Sequence, residues 1–156
     1  KTNHIAIEAL KNNVIKELTG YQHIKPEVKV GDSRIDILLF DGELKKFKEA
    51  RRKCYVEVKN VTLRDGKKAL FPDGVSTRGQ KHLKELIQIK KSGYEAAMLF
   101  VVSREDVESF SPAEHIDPSY AELLKQAKKE GVKILAYICQ INEKSIKLTN
   151  AIPVNI

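Results

Sequence analysis

Apolar residues recur at helical spacing over 5–18, at Ile7, Leu10, Val14, Ile15 and Leu18, with Thr2 or Asn3 placed to cap the start and Gly20 just past the end. The period then shortens. Runs at 27–30, 34–40 and 55–61 predict three strands, the first two joined by a Gly31-Asp32 turn. Between the second and third, 41–53 carries Lys45, Lys46, Lys48, Arg51, Arg52 and Lys53 with few apolar residues, which predicts an exposed connection with room for one helical turn. After the turn chemistry of Phe71-Pro72-Asp73-Gly74, a second helix is predicted over 77–91, with Leu83, Leu86 and Ile87 inward and Gly93 as its stop. A continuous apolar strand follows at 96–102. A helix over 118–130 is capped by Asp117 and ended by Gly131, and a strand over 132–141 and a short hairpin near 145–154 finish the chain.

Elements in this order, α-β-β-β-α-β with a further helix and strands, describe a three-layer α/β domain around a mixed sheet flanked by helices. At 156 residues one domain buries most of its apolar surface without staples. With 42% hydrophobic and 31% charged residues and no run long enough to span a bilayer, the expectation is a cytoplasmic protein with no membrane partner. Cys54 and Cys139 lie at or in strands and far apart, which suits buried reduced thiols. The four histidines, His4, His23, His82 and His115, are too scattered for a zinc site. A net charge of +7 favours a polyanionic partner such as nucleic acid.

Two strands carry charge where strands covered on both faces seldom do. Ser33-Arg34-Ile35-Asp36-Ile37-Leu38-Leu39-Phe40 and Cys54-Tyr55-Val56-Glu57-Val58-Lys59 are strongly apolar around Asp36, Glu57 and Lys59. Side chains alternate along a strand, so Glu57 and Lys59 share one face while Val56 and Val58 take the other, and strand pairing lets Asp36 join them. Two carboxylates and a backbone carbonyl such as that of Val58 suit a divalent cation of the Mg²⁺ type, and a neighbouring lysine would position or polarise an attacking water. A Glu-X-Lys on an amphipathic strand is also the pattern of an ordinary ion pair, so context has to decide.

The element order with Asp on the second strand and Glu-X-Lys on the third resembles the PD-(D/E)XK nuclease superfamily over 5–102. More narrowly, Ser33-Arg34-Ile35-Asp36, Tyr55-Val56-Glu57-Val58-Lys59-Asn60-Val61-Thr62-Leu63, Phe71-Pro72-Asp73-Gly74-Val75, Thr77-Arg78-Gly79-Gln80-Lys81-His82-Leu83, Phe110-Ser111-Pro112 and Asp117-Pro118-Ser119-Tyr120 together resemble the sugar fermentation stimulation protein A family across nearly the whole chain. That resemblance implies a restriction-endonuclease-like core behind an OB-like nucleic-acid-binding domain, which this chain lacks, so that 1–156 is a piece of a longer protein. It implies Asp36 and Glu57 as ligands of Mg²⁺ or Mn²⁺ and Lys59 as the residue that orients water or stabilises the pentacovalent charge. An acidic residue from the first helix is expected to join them. Glu8 and Glu17 both flank the apolar stripe at about 100° per residue, and the position of Glu8 early in the helix matches the superfamily placement.

Around this core, Arg78 and Lys81 with the free amides of the second helix make a phosphate site, and Gln80 and His82 are further candidates for nucleic-acid contact. Thr77-X-X-Gln80 is also a capping box, which explains Gln80 without function. Asp73 is accounted for by turn chemistry, and its place at the site rests on the resemblance. Ser33 and Arg34 precede the charged strand and are placed to approach a phosphate. The expected function is a divalent-metal-dependent nuclease with little sequence preference, acting on DNA or RNA. The alternatives are a noncatalytic DNA-binding regulator of sugar metabolism and, from paired carboxylates, a glycosidase; the latter lacks aromatic platforms for sugar rings.

Overall fold

The computed structural model describes residues 1–156. In chain order its elements are α1 (Thr2–Lys11), β1 (His23–Val30), β2 (Ser33–Phe40), β3 (Lys53–Val61), β4 (Leu63–Asp65), β5 (Lys68–Phe71), α2 (Thr77–Lys91), β6 (Glu95–Val102), β7 (Ser109–Pro112), α3 (Pro118–Lys129), β8 (Lys133–Ile141) and β9 (Ile146–Ala151). Six strands make one mixed sheet in the order β1-β2-β3-β6-β8-β9. β1, β2 and β3 pair antiparallel, β3, β6 and β8 run parallel, and β9 returns antiparallel along β8. Parallel neighbours need crossovers, which α2 and α3 supply.

The alternation along β6 divides the core into the expected layers. Ala96, Met98, Phe100 and Val102 pack with Leu83 and Leu86 of α2 and Leu124 of α3, while Ala97, Leu99 and Val101 pack with Ala6, Ala9 and Leu10 of α1. Both cysteines are free and buried.

Four expectations change on folding. The first helix stops at Lys11 because Asn13 takes a left-handed φ of 56°, and the Val14 and Asn13 N–H groups bond back to the Ala9 and Leu10 carbonyls in a Schellman turn. Ile15 and Leu18 are still buried, but from a bend and a 3₁₀ turn at Lys16–Leu18. β1 begins at His23 and runs through Pro26, which an edge strand tolerates because one of its sides has no ladder. In the basic connection, Lys53 is buried and donates to the Lys48 carbonyl at 2.8 Å. The predicted terminal hairpin is instead the single strand β9 on β8, and β4, β5 and β7 form a small second sheet whose three- and four-residue strands leave little periodic signal.

The start of α2 is set from α3. The cap is Ser76, whose Oγ accepts from the Gly79 N–H at 2.9 Å, so the capping box expected at Thr77 and Gln80 does not form. Gln80 reaches away and donates through Nε2 to both Asp117 oxygens at 3.0 and 3.1 Å. Asp117 also accepts the Ser76 and Tyr120 N–H groups, so one buried carboxylate closes the N-terminal ends of both helices. Gly79 is required at this junction, since a Cβ there would stand 2.7 Å from Ser76 Oγ and 3.1 Å from the Tyr120 ring. Replacing Asp117 by Ala should cost about 3 kcal/mol in urea unfolding, because it strands buried donors on two helices at once.

Candidate active site

β2 and β3 are hydrogen-bonded partners only from Ile37↔Val56 to Phe40↔Lys53, and the ladder ends where Asp36 would face Glu57. On the other side of β2 the register also leaves Asp36 without a partner, and Glu27, opposite it, has a φ of 52°. The side-chain alternation breaks here as well: Ile35 belongs to the core under α2 and α3, whereas Ile37, two residues on, belongs to the core under α1. The Asp36 carboxylate fills the gap. Its Oδ2 accepts the Val58 N–H at 2.8 Å, and its Oδ1 accepts from Asn3 Nδ2, reaching over from α1, at 3.1 Å.

Glu57 and Lys59 keep the alternation and point together toward α2, where His82 meets them. Lys59 Nζ lies 3.1 Å from His82 Nδ1, and an ammonium has only donors to offer, so this imidazole is neutral with its proton on Nε2. Burial, then the positive charges of Lys59 and Arg78, depress the His82 pKa, in keeping with that state. Glu57 is 2% exposed, and its Oε2 has no hydrogen-bond partner, the nearest basic atom being His82 Nδ1 at 3.9 Å.

These environments divide the two carboxylates. Burial, then the hydrogen bond to Asp36 and its negative charge, raise the Glu57 pKa to about 9, against an opposing pull from Lys59. Burial would raise Asp36 too, but its hydrogen bonds from Glu57, the Val58 N–H and Asn3 outweigh that and hold it below the ordinary aspartate value. Burial lowers the Lys59 pKa although both carboxylates act against it. At neutral pH the metal-free cluster therefore has Asp36 charged, Glu57 protonated toward it, and Lys59 donating to His82.

The first helix contributes Asn3 to this cluster in place of an acid. Glu8 lies about 140° around α1 from Asn3 and lines a depression with Lys1, His4 and Ile5 against the β8–β9 turn, so the structure does not bring it to Asp36. Glu17, the other candidate, accepts from the Tyr137 hydroxyl at 2.6 Å. Ser33 is buried at the start of β2, and Arg34 is exposed and 3.6 Å from Glu27. Arg78 and Lys81 are exposed on α2, and Arg78 lies close enough to Lys59 and His82 to depress their pKa values. His82 is buried against Lys59, so its Nδ1 is already engaged there, and Gln80 is held by Asp117. Asp73 is exposed in the loop before α2.

Two residues near the cluster escaped the sequence reading. Asn3 is indistinguishable from a helix cap until the chain folds. Glu85, whose charge acts on both Glu57 and His82, lies one turn beyond His82, and that i, i+3 spacing was a legible signal.

Fold and cluster together define a mixed-sheet α/β domain that gathers two carboxylates, a lysine and a histidine where its second and third strands part. The chain belongs to the sugar fermentation stimulation protein family, whose "Sugar fermentation stimulation protein RE domain" matches residues 1–145. It is 48% identical over 153 residues to the sugar fermentation stimulation protein homolog of Geotalea daltonii, covering 97% of this chain and 63% of that protein. The Shewanella loihica homolog is 46% identical over 158 residues, covering 100% of this chain and 64% of the relative. The structure of Pyrococcus furiosus SfsA in complex with Ca²⁺ superposes with a TM-score of 0.85 at 35% identity, over 99% of this chain and 64% of that one. The chain thus spans a little under two thirds of these relatives. No helix is long and apolar enough to cross a membrane.

Proposed function

We propose that this domain is a PD-(D/E)XK-type nuclease that hydrolyses phosphodiester bonds of nucleic acid, with a divalent cation and little sequence preference. The observation that carries the reading is the convergence of Asp36, Glu57 and Lys59, with the buried Glu57 Oε2 left unpartnered. An orphaned carboxylate oxygen beside a second carboxylate is a donor set of the kind that hard cations take, with oxygen ligands from Asp36, Glu57 and the Val58 carbonyl. When bound, Mg²⁺ or Mn²⁺ would supply Lewis-acid stabilisation of the phosphoryl oxygen and a lowered pKa for water. A relative 35% identical binds Ca²⁺, which agrees with an oxygen-liganded divalent site.

The chain's own residues then have distinct tasks. Lys59, held by His82 Nδ1, orients the attacking water and stabilises charge at phosphorus. Asp36, anchored by the Val58 N–H and Asn3, keeps its charge at neutral pH. Arg78 and Lys81, exposed at the first turns of α2, contact flanking phosphates, and those contacts weaken steeply with salt. Such backbone contacts favour DNA or RNA alike over readout of base sequence.

A noncatalytic DNA-binding regulator is the second reading, and Asn3 standing where a helix carboxylate is expected favours it. Cleavage of labelled single- and double-stranded DNA and RNA with Mg²⁺ or Mn²⁺, beside an EDTA lane and Lys59→Ala, separates the two. Metal-dependent cleavage that falls by about 100-fold in the variant is expected. Binding without cleavage under either metal would favour the regulator.

A further inference from the structure

Three buried side-chain atoms in this protein have no hydrogen-bond partner: Glu57 Oε2, Glu85 Oε1 and the Tyr120 hydroxyl oxygen. The two carboxylate oxygens lack a donor, and of the three groups the tyrosine is the one with an O–H to give. Tyr120 stands in the first turn of α3, fully buried, with its ring edge-on to that of Phe71 at 5.3 Å. The ring passes beneath Gly79, where a Cβ would stand 3.1 Å from it. His82 follows Gly79 by three residues on the same buried face of α2, and its Nδ1 stands 3.9 Å from Glu57 Oε2. The tyrosine ring and the Glu57 carboxylate therefore lie under successive turns of one helix, on the same side of the sheet.

Two carboxylates bear on the tyrosine. Burial, then the charges of Glu57 and of Asp117, raise the Tyr120 pKa, so the hydroxyl keeps its proton. Both Asp117 oxygens are already filled, each accepting one backbone N–H and sharing the Gln80 amide. Glu57 Oε2 is free. We propose that Tyr120 is a positioning residue for the metal site: with a divalent cation bound, its hydroxyl donates to Glu57 Oε2 and fixes the orientation of that carboxylate. The inference rests on the proposed ligand set and adds to it a residue from α3. A carboxylate oxygen has two lone pairs, so Oε2 can ligate with one and accept from the tyrosine with the other. A ligand held by a buried donor keeps its angle to the cation, and outer partners of this kind are typically worth about ten- to a hundredfold in metal affinity. The Gln80–Asp117 bonds tie the start of α3 to α2 and so set the height at which the tyrosine enters the core.

Calorimetric titration of Mn²⁺ into the native protein, Tyr120→Phe and Leu124→Val tests this. Phenylalanine keeps the ring and its packing and removes only the hydroxyl. Leu124, buried on the same helix, controls for loosened packing. Tyr120→Phe should raise the Mn²⁺ Kd about tenfold, with Leu124→Val unchanged. On the native protein, isotopic labelling of the tyrosine Cζ atoms gives five NMR resonances. The one missing from Tyr120→Phe should move when Mg²⁺ is added. Equal Kd values for the native protein and Tyr120→Phe, or a Tyr120 resonance indifferent to Mg²⁺, would overturn the role and leave the metal site and the nuclease reading standing. A Kd raised equally in Leu124→Val would reduce Tyr120 to a packing residue. No Mn²⁺ binding by the native protein would remove the ligand set itself, and this inference with it.

Discussion

Changing Asp36 to Asn is expected to abolish both metal-dependent stabilisation and cleavage, the largest effect of any single substitution in this domain. The native carboxylate accepts on both sides, from the Val58 N–H and from the Asn3 amide. An asparagine has one acceptor oxygen, so its own amino group must face one of those two donors, and the charge that holds a cation is gone. If cation binding supplies about 4 kcal/mol to the transition state, cleavage falls about 10³-fold. Binding is measured separately by thermal melting: a divalent ion at about 100 times its Kd should stabilise the native protein by about 2.7 kcal/mol and leave Asp36→Asn unmoved. A Mn²⁺-induced rise in Tm that survives the substitution would count against Asp36 as a ligand.

Changing Glu57 to Gln should do something less intuitive, making the metal-free protein more stable while removing its response to metal. The folded pKa of Glu57 is raised from 4.5 to about 9, chiefly by burial. Between those values the unfolded chain has released the proton that the folded chain retains, so unfolding releases a proton and stability falls as pH rises through this window. The contribution is fully present below the unfolded value and gone above about 9. Lys59, whose folded pKa is lowered, works in the opposite sense: its penalty is felt below the folded value and fades toward 10.5. Glutamine matches the shape of the protonated acid and does not titrate, so urea midpoints of Glu57→Gln should lie above those of the native protein at pH 8 and match them near pH 4. His82, whose folded pKa is depressed, adds a rise in stability toward pH 6.5. The check is therefore the difference between the two proteins: a native midpoint that keeps level with that of Glu57→Gln from pH 5 to pH 8 in EDTA would show that Glu57 is not held protonated.

Both results bear on how the site relates to the sequence. Asp36, Glu57 and Lys59 stand out in the chain because charges interrupt otherwise apolar strands, and alternation alone correctly assigns Glu57 and Lys59 to one face. The main helices and strands were legible for the same local reason, and the Asp117-Pro118 start of α3 appears where its residue types require it. Where short-range signals competed, reading them in isolation misled. Asn13 ended α1 early against an apolar spacing that runs on to Leu18, and Gln80 satisfied a capping-box pattern that Ser76 and Gly79 make unnecessary.

What the sequence alone determined, then, is the family, the alternating layers and the charged residues available for chemistry, because periodicity, caps and turns depend on residues a few positions apart. The parting of β2 from β3 at Asp36, the seating of Lys59 on His82 and the choice of Asn3 over Glu8 were decided only by the tertiary structure. Those contacts join residues 22 to 33 positions apart, Asp36 with Val58 and Lys59 with His82 among them. Each is a competition for one donor or one acceptor that is settled only when packing has brought the rivals within reach.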